Sequence, residues 1–119
     1  MLHKPKDLVW VGSSKKNLKT FPYEVQSDIG YALHEAQMGD KHSSAKPLKG
    51  LGNGIMEIVS DFDTNTYRAV YAVNIGETLY VLHTFQKKSK SGIATPKPDI
   101  DLIKQRYREA LEIEKMRRK

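Results

Sequence analysis

Three runs of β-forming residues, joined by connections too short to hold more than a turn, fix most of what this chain can become. They are IMEIVSD (55–61), TYRAVYAVNI (66–75) and TLYVLHTFQ (78–86), separated by FDTN and GE. Ile, Val, Tyr and Thr dominate them, as in strands with at least one packed face. A parallel pair needs a long crossover, whereas connections of two to four residues join antiparallel neighbours. The runs are therefore expected to form a three-stranded meander, and helices must cover it.

Those helices are legible on either side. Val25, Ile29, Leu33 and Ala36 recur at helical spacing within Pro22–Met38, with Pro22 suited to the first turn and Gly39 to the stop. Gly30 costs such a helix about 1 kcal/mol relative to Ala, so it is expected to mark a close packing contact. Ser14–Lys19 reads as one helical turn, and LVWV (8–11) as a further strand stopped by GSS. The stretch DKHSSAKPLKGLGNG (40–54) reads as a loop. Beyond the meander, Ile100, Ile103, Tyr107 and Ala110 or Leu111 trace an apolar stripe from about Asp99 to Met116. The expected fold class is α+β, one domain over residues 1–119: a small antiparallel sheet, with a candidate N-terminal strand and a helix at each end.

Charge narrows the partners. Lys and Arg total 20 against 14 Asp and Glu, a net charge of +6, which suits nucleic acid or an acidic protein. The excess is local. No acid lies between Glu77 and Asp99, where Lys87, Lys88, Lys90 and Lys97 stand, and Lys41, Lys46 and Lys49 form a second acid-free stretch. The absence of cysteine excludes disulfides and cysteine-ligated metal, and fits a reducing compartment. The start MLHKPKDLVWVGSSKK is broken by charge and argues against a secretory signal, and no apolar run is long enough for a membrane span. A cytoplasmic protein that does not engage membranes is expected.

Single motifs divide between function and structure. Asp61, Asp63 and Asn65 have the opening spacing of a calcium loop, but Thr66 and Ala72 stand where that loop needs Gly and Glu, so a hairpin turn is expected. GLGNG (50–54) leads into a strand, whereas phosphate-binding glycines need a helix behind them. His3, His34, His42 and His83 show no metal-ligand spacing, and the sequence calls for no metal and no cofactor. His83, inside an apolar strand, is either a core histidine or a proton carrier on an open sheet face. Arg68 shares a face with Val70 and Ala72. It is either paired with Glu57 on the preceding strand or a phosphate clamp.

The combined wording carries a resemblance. YRAVYAV, a Gly turn, LYVLHTFQKKSKSG and then TP before an amphipathic helix resemble the phage-related branch of the HigB-like, RelE-superfamily toxins of type II toxin–antitoxin modules. Tyr67, Arg68, Val70 and Tyr71 carry the likeness, with Leu82, His83, Phe85, Lys87, Lys88, Thr95 and Pro96. PLKGLGNGIMEI (47–58) extends it, although Met56 stands where the family has Trp and Val59 where an Arg follows. The resemblance implies a RelE-like fold and an mRNA endoribonuclease, acting on the ribosome or on free RNA. It also implies a cognate antitoxin, of helix-turn-helix type, that holds the toxin inactive. Cleavage by 2′-hydroxyl attack can proceed without metal where Arg and Lys neutralise the developing charge. On that basis Arg68 and Lys87 are the expected charge stabilisers, and His83 or Glu57 the proton carrier. Lys88, Lys90 and Lys49 would grip flanking phosphates, and Tyr67 or Tyr71 would stack on a base, with sheet packing the role of at least one of them. Alternatives on the same fold are a non-catalytic nucleic-acid- or ribosome-binding module and a phage-derived interaction protein.

Overall fold

The computed structural model describes residues 4–87 and 95–118. Its elements are β1 (Asp7–Trp10), α1 (Ser14–Leu18), α2 (Tyr23–Gln37), β2 (Ala45–Pro47), β3 (Ile55–Phe62), β4 (Asn65–Ile75), β5 (Thr78–Lys87) and α3 (Lys97–Arg117). The architecture is α+β, a five-stranded mixed sheet in the order β1-β5-β4-β3-β2. The meander is as expected, and Asp63 and Thr64, both at positive φ, make the β3–β4 turn. LVWV does form a strand, running parallel to β5. The 40–54 stretch departs from expectation. It is not wholly loop, because Ala45–Pro47 adds an antiparallel edge to β3, and Pro47 at its end limits the strand to three residues.

Each sheet face has its own cover. Val25, Ile29, Leu33 and Ala36 of α2 pack with Ile58, Ala69, Tyr71, Leu79 and Val81. Ile103 and Ala110 of α3 pack on the other face with Ile55, Val70, Ala72, Tyr80 and Leu82. Ile29, Ile58 and Leu82 are fully buried, each removing roughly 1.5–3 kcal/mol worth of apolar surface from water. Tyr80 donates to Glu114 Oε1 at 2.7 Å, tying the end of α3 to the sheet, and burial with this bond pushes the phenol up to about 12.

One irregularity decides which side chains reach the α3 face. Val70 lies opposite His83, but Tyr71 lies opposite Val81, so Leu82 is an extra residue in β5. Such a bulge resets the alternation of the strand that carries it. Leu79 and Val81 point at α2. Without Leu82, strict alternation would send His83, Phe85 and Lys87 there too. With it, they lie on the α3 face, opposite Val70, Arg68 and Thr66.

Gly30 does not mark a close contact. It is exposed, and a Cβ built there meets nothing within 4 Å. Gly30→Ala is therefore expected to stabilise the protein by about 1 kcal/mol, seen as a higher urea midpoint with an unchanged slope.

Candidate active site

Arg68 lies on the α3 face of β4, with Glu57 of β3 and Lys87 of β5 near it on the two flanking strands. Arg68 Nη1 stands 3.0 Å from both Glu57 carboxylate oxygens. Lys46, directly opposite Glu57 on β2, brings its Nζ to 3.7 Å of Glu57 Oε1. The Glu57 and Arg68 side chains are only 4% and 7% exposed, so water screens them little. The sequence left Arg68 between ion pair and phosphate clamp, and the ion pair with Glu57 is present.

Lys46 and Arg68 both approach one carboxylate, and Lys87 lies near enough for its ammonium to feel all three charges. Lys87 registers this. Burial, then the Arg68 and Lys46 charges, lower its pKa below the ordinary lysine value, while Glu57 opposes them. Arg68 Nε is buried and has no hydrogen-bond partner among the described residues, which leaves a donor for an added anion. Beside the cluster a cleft of about 500 Å³ is lined by Lys46, Lys49, Glu57, Arg68, Thr95 and Ile100. It can take an anionic group against cations already in place, the arrangement that stabilises developing negative charge.

His83 is placed differently. It is buried on the same face, but its ring stacks on Phe85, with centroids 4.6 Å apart, and Phe85 separates it from Arg68 and Lys87. Its Nε2 is 2.7 Å from Asp99 Oδ1, and Arg106 Nη1 approaches Nδ1 at 3.4 Å. A carboxylate on one side and a guanidinium on the other select the neutral, Nε2-protonated tautomer. Arg106 also donates to the Leu82 carbonyl at 3.0 Å and to Ser13 Oγ at 2.9 Å. It fits beneath Gly12, where a Cβ would come within 2.8 Å of its Nε. The network holds the β5 bulge against α3. His83 does not line the cleft beside Arg68, and it borders a separate cavity of about 300 Å³ with Tyr67 and Phe85.

Tyr67 lies on the α2 face, 7% exposed, with its ring 4.8 Å from that of Phe21, and it borders the same separate cavity as His83. Lys49 does line the cleft, while Lys88 and Lys90 lie outside the described residues. Val59 sits opposite Arg68 on the cleft face, and Met56 opposite Tyr71 on the α2 face. The missing arginine thus concerns the site and the missing tryptophan the core. The sequence reading gave no role to Asp99 or Arg106. Arg106 does occupy the apolar stripe between Ile103 and Ala110, and that spacing was its available signal.

Burial lowers the His83 pKa from 6.5 more than Asp99 raises it. The unfolded chain then binds more protons below that value, so the His83 contribution to stability is intact above about pH 6.5 and is lost as pH falls. Denaturant midpoints between pH 5 and 8 should drop on the acid side, and His83→Gln should flatten this dependence.

The family described as Phage derived protein Gp49-like (DUF891) matches residues 16–108. A comparison with curated proteins finds no match. Among solved structures, the RelBE2 toxin–antitoxin complex of Mycobacterium tuberculosis contains a similar chain. It has 15% identity and a TM-score of 0.49, and the likeness covers 75% of this chain and 97% of that one.

Proposed function

This chain belongs to the phage-derived Gp49-like family, and from that premise we propose that it is a RelE/HigB-type toxin that cleaves mRNA. The observation that carries the proposal is the gathering of Lys46 and Arg68 on the buried Glu57 at the wall of an open cleft, with Lys87 close enough to feel their charges. In this reading the scissile phosphate enters the cleft, and Arg68 and Lys46 neutralise the charge that grows on its oxygens. Glu57 accepts the proton of the 2′-hydroxyl as the 2′-oxygen–phosphorus bond forms. Lys87, whose lowered pKa favours proton release, protonates the departing 5′-oxygen as its bond to phosphorus breaks. The products are a 2′,3′-cyclic phosphate and a 5′-hydroxyl, and none of these steps needs a metal. The RNA is proposed to be mRNA on the ribosome, and a cognate antitoxin of helix-turn-helix type to be the neutralising partner.

Induced expression tests the cellular role. Wild type should arrest growth and Arg68→Ala plus Lys87→Ala should not, at equal soluble levels. Co-expression of a small gene adjacent to this one should relieve the arrest. A double variant that arrests growth as fully as wild type would rule out the site. RNA binding with intact transcripts would favour the non-catalytic module.

A further inference from the structure

Beyond the cleft, two further cavities lie along α3. A second cavity, about 170 Å³, lies along the same flank of α3 between Leu51 and Ile55 on one side and Lys104, Tyr107 and Arg108 on the other. A third, about 500 Å³, continues from Arg108 past Leu111 to Lys115 and Arg118, with Asn74 and Gly76 as its far wall. Ile100, Lys104, Arg108, Leu111, Lys115 and Arg118 follow one another at three- and four-residue steps, so one side of the helix borders all three cavities. From Lys104 to Arg118 this flank runs about 21 Å at the helical rise.

Charge and surface chemistry along the flank agree. Lys104 and Arg108 are exposed and neither forms an ion pair among the described residues. The tail is more nearly balanced, since Glu112 lies 3.2 Å from Lys115 and Glu114 lies 3.9 Å from Arg118. Between the cations the floor is apolar or aromatic, supplied by Leu51, Tyr107 and Leu111. Tyr107 is half-buried, and its hydroxyl reaches Asn74 Oδ1 at 3.5 Å. Cations tracking a groove with ring surface between them form the recognition pattern for a single nucleic-acid strand, its phosphates on the cations and a base on the ring. An acidic peptide would meet the same charges but leave the ring without a stacking partner.

We propose that the groove between α3 and the sheet, centred on Lys104, Tyr107 and Arg108, is an extended binding track for the single-stranded RNA that flanks the phosphate in the cleft. The proposal rests on the cleft being the cleavage site, and it adds a track that holds several nucleotides beyond it. Affinity along the track comes from phosphates and stacking, so it varies little with base sequence and strongly with salt.

The test uses the full chain and 2′-O-methyl RNA, which cannot be cleaved, so that binding is read apart from chemistry. Anisotropy is measured from 50 to 300 mM salt with a trinucleotide and a 15-mer. Wild type should bind the 15-mer more tightly. Lys104→Ala plus Arg108→Ala should weaken the 15-mer about tenfold at 150 mM salt and lower the salt slope by about 1.4, at ~0.7 per single-strand phosphate contact. The trinucleotide should bind unchanged. Tyr107→Leu, which keeps apolar bulk, should weaken only the 15-mer, with its salt slope intact. An unchanged slope in the double variant, or equal losses on both oligonucleotides, overturns the track. So does an acidic 15-residue peptide that binds in place of RNA. If Arg68→Ala plus Lys87→Ala leaves RNA cleavage intact while the slope change holds, the cleavage site is misplaced and the track stands.

Discussion

Lys87→Ala is expected to lower RNA cleavage by two to four orders of magnitude while leaving the fold intact. The range is that of losing one positioned proton donor together with a charge that stabilises the transition state. The ammonium is buried beside Arg68 and Lys46, so its proton is held less tightly than in water. Activity should then fail on the alkaline side as Lys87 loses its proton, beginning below the ordinary lysine value of 10.5. Lys87→Arg separates the two roles. A guanidinium keeps the charge but does not release a proton in this range. The arginine variant should therefore recover KM but not kcat, and the alkaline limb should disappear. The check is kcat and KM on a defined RNA from pH 6 to 10.

Arg68→Ala should be the most destabilising substitution at the site. It leaves Glu57, 4% exposed, without its close partner. Removing one member of a buried pair costs roughly 3–5 kcal/mol, mostly as an uncompensated charge. Lys46 stays 3.7 Å away and Lys87 is near, so the lower end, about 3 kcal/mol, is expected. For a domain of this size that lowers Tm by roughly 10 °C or more. The diagnostic variant is Arg68→Met with Glu57→Leu, which replaces both partners by apolar groups and should restore most of the lost stability. If the pair serves only the fold, cleavage returns with Tm. If it serves the reaction, Tm returns and cleavage does not. Chemical unfolding and a cleavage assay on the three proteins decide it.

The elements were legible where periodicity was strong. The α2 stripe of Val25, Ile29 and Leu33, the three β runs and the short turns between them are local signals, and they placed α2, the meander and α3 within two residues of their observed ends. What stayed hidden depends on distant partners. LVWV pairs with β5, just over seventy residues away in sequence, and nothing in its four residues specifies a parallel neighbour. Ala45–Pro47 has little intrinsic strand character and becomes a strand because the β3 edge is available to it.

Two site features had local signals. Leu82 and Phe85 both read as core, yet three residues apart they cannot share a face of a regular strand. The bulge puts both on the α3 face and brings Lys87 toward Arg68. Arg106 interrupts the stripe of Ile103 and Ala110, and a cation in that position needs acceptors. The Arg68–Glu57 pair was legible as one of two alternatives, because both residues lie on strands whose register the hairpin fixes. That His83 is sealed against Asp99 was not legible, since Asp99 lies across a loop on α3.

Lys87 and Arg68 are proposed to cut RNA through the neighbouring 2′-hydroxyl. The most direct measurement incubates purified protein with mRNA in EDTA, with and without ribosomes, and maps the ends of the products. A 2′,3′-cyclic phosphate and a 5′-hydroxyl are expected at each cut, formed by the wild type and nearly absent with Lys87→Ala. Intact mRNA in both tubes, or cuts that Lys87→Ala makes at the wild-type rate, would contradict this proposal.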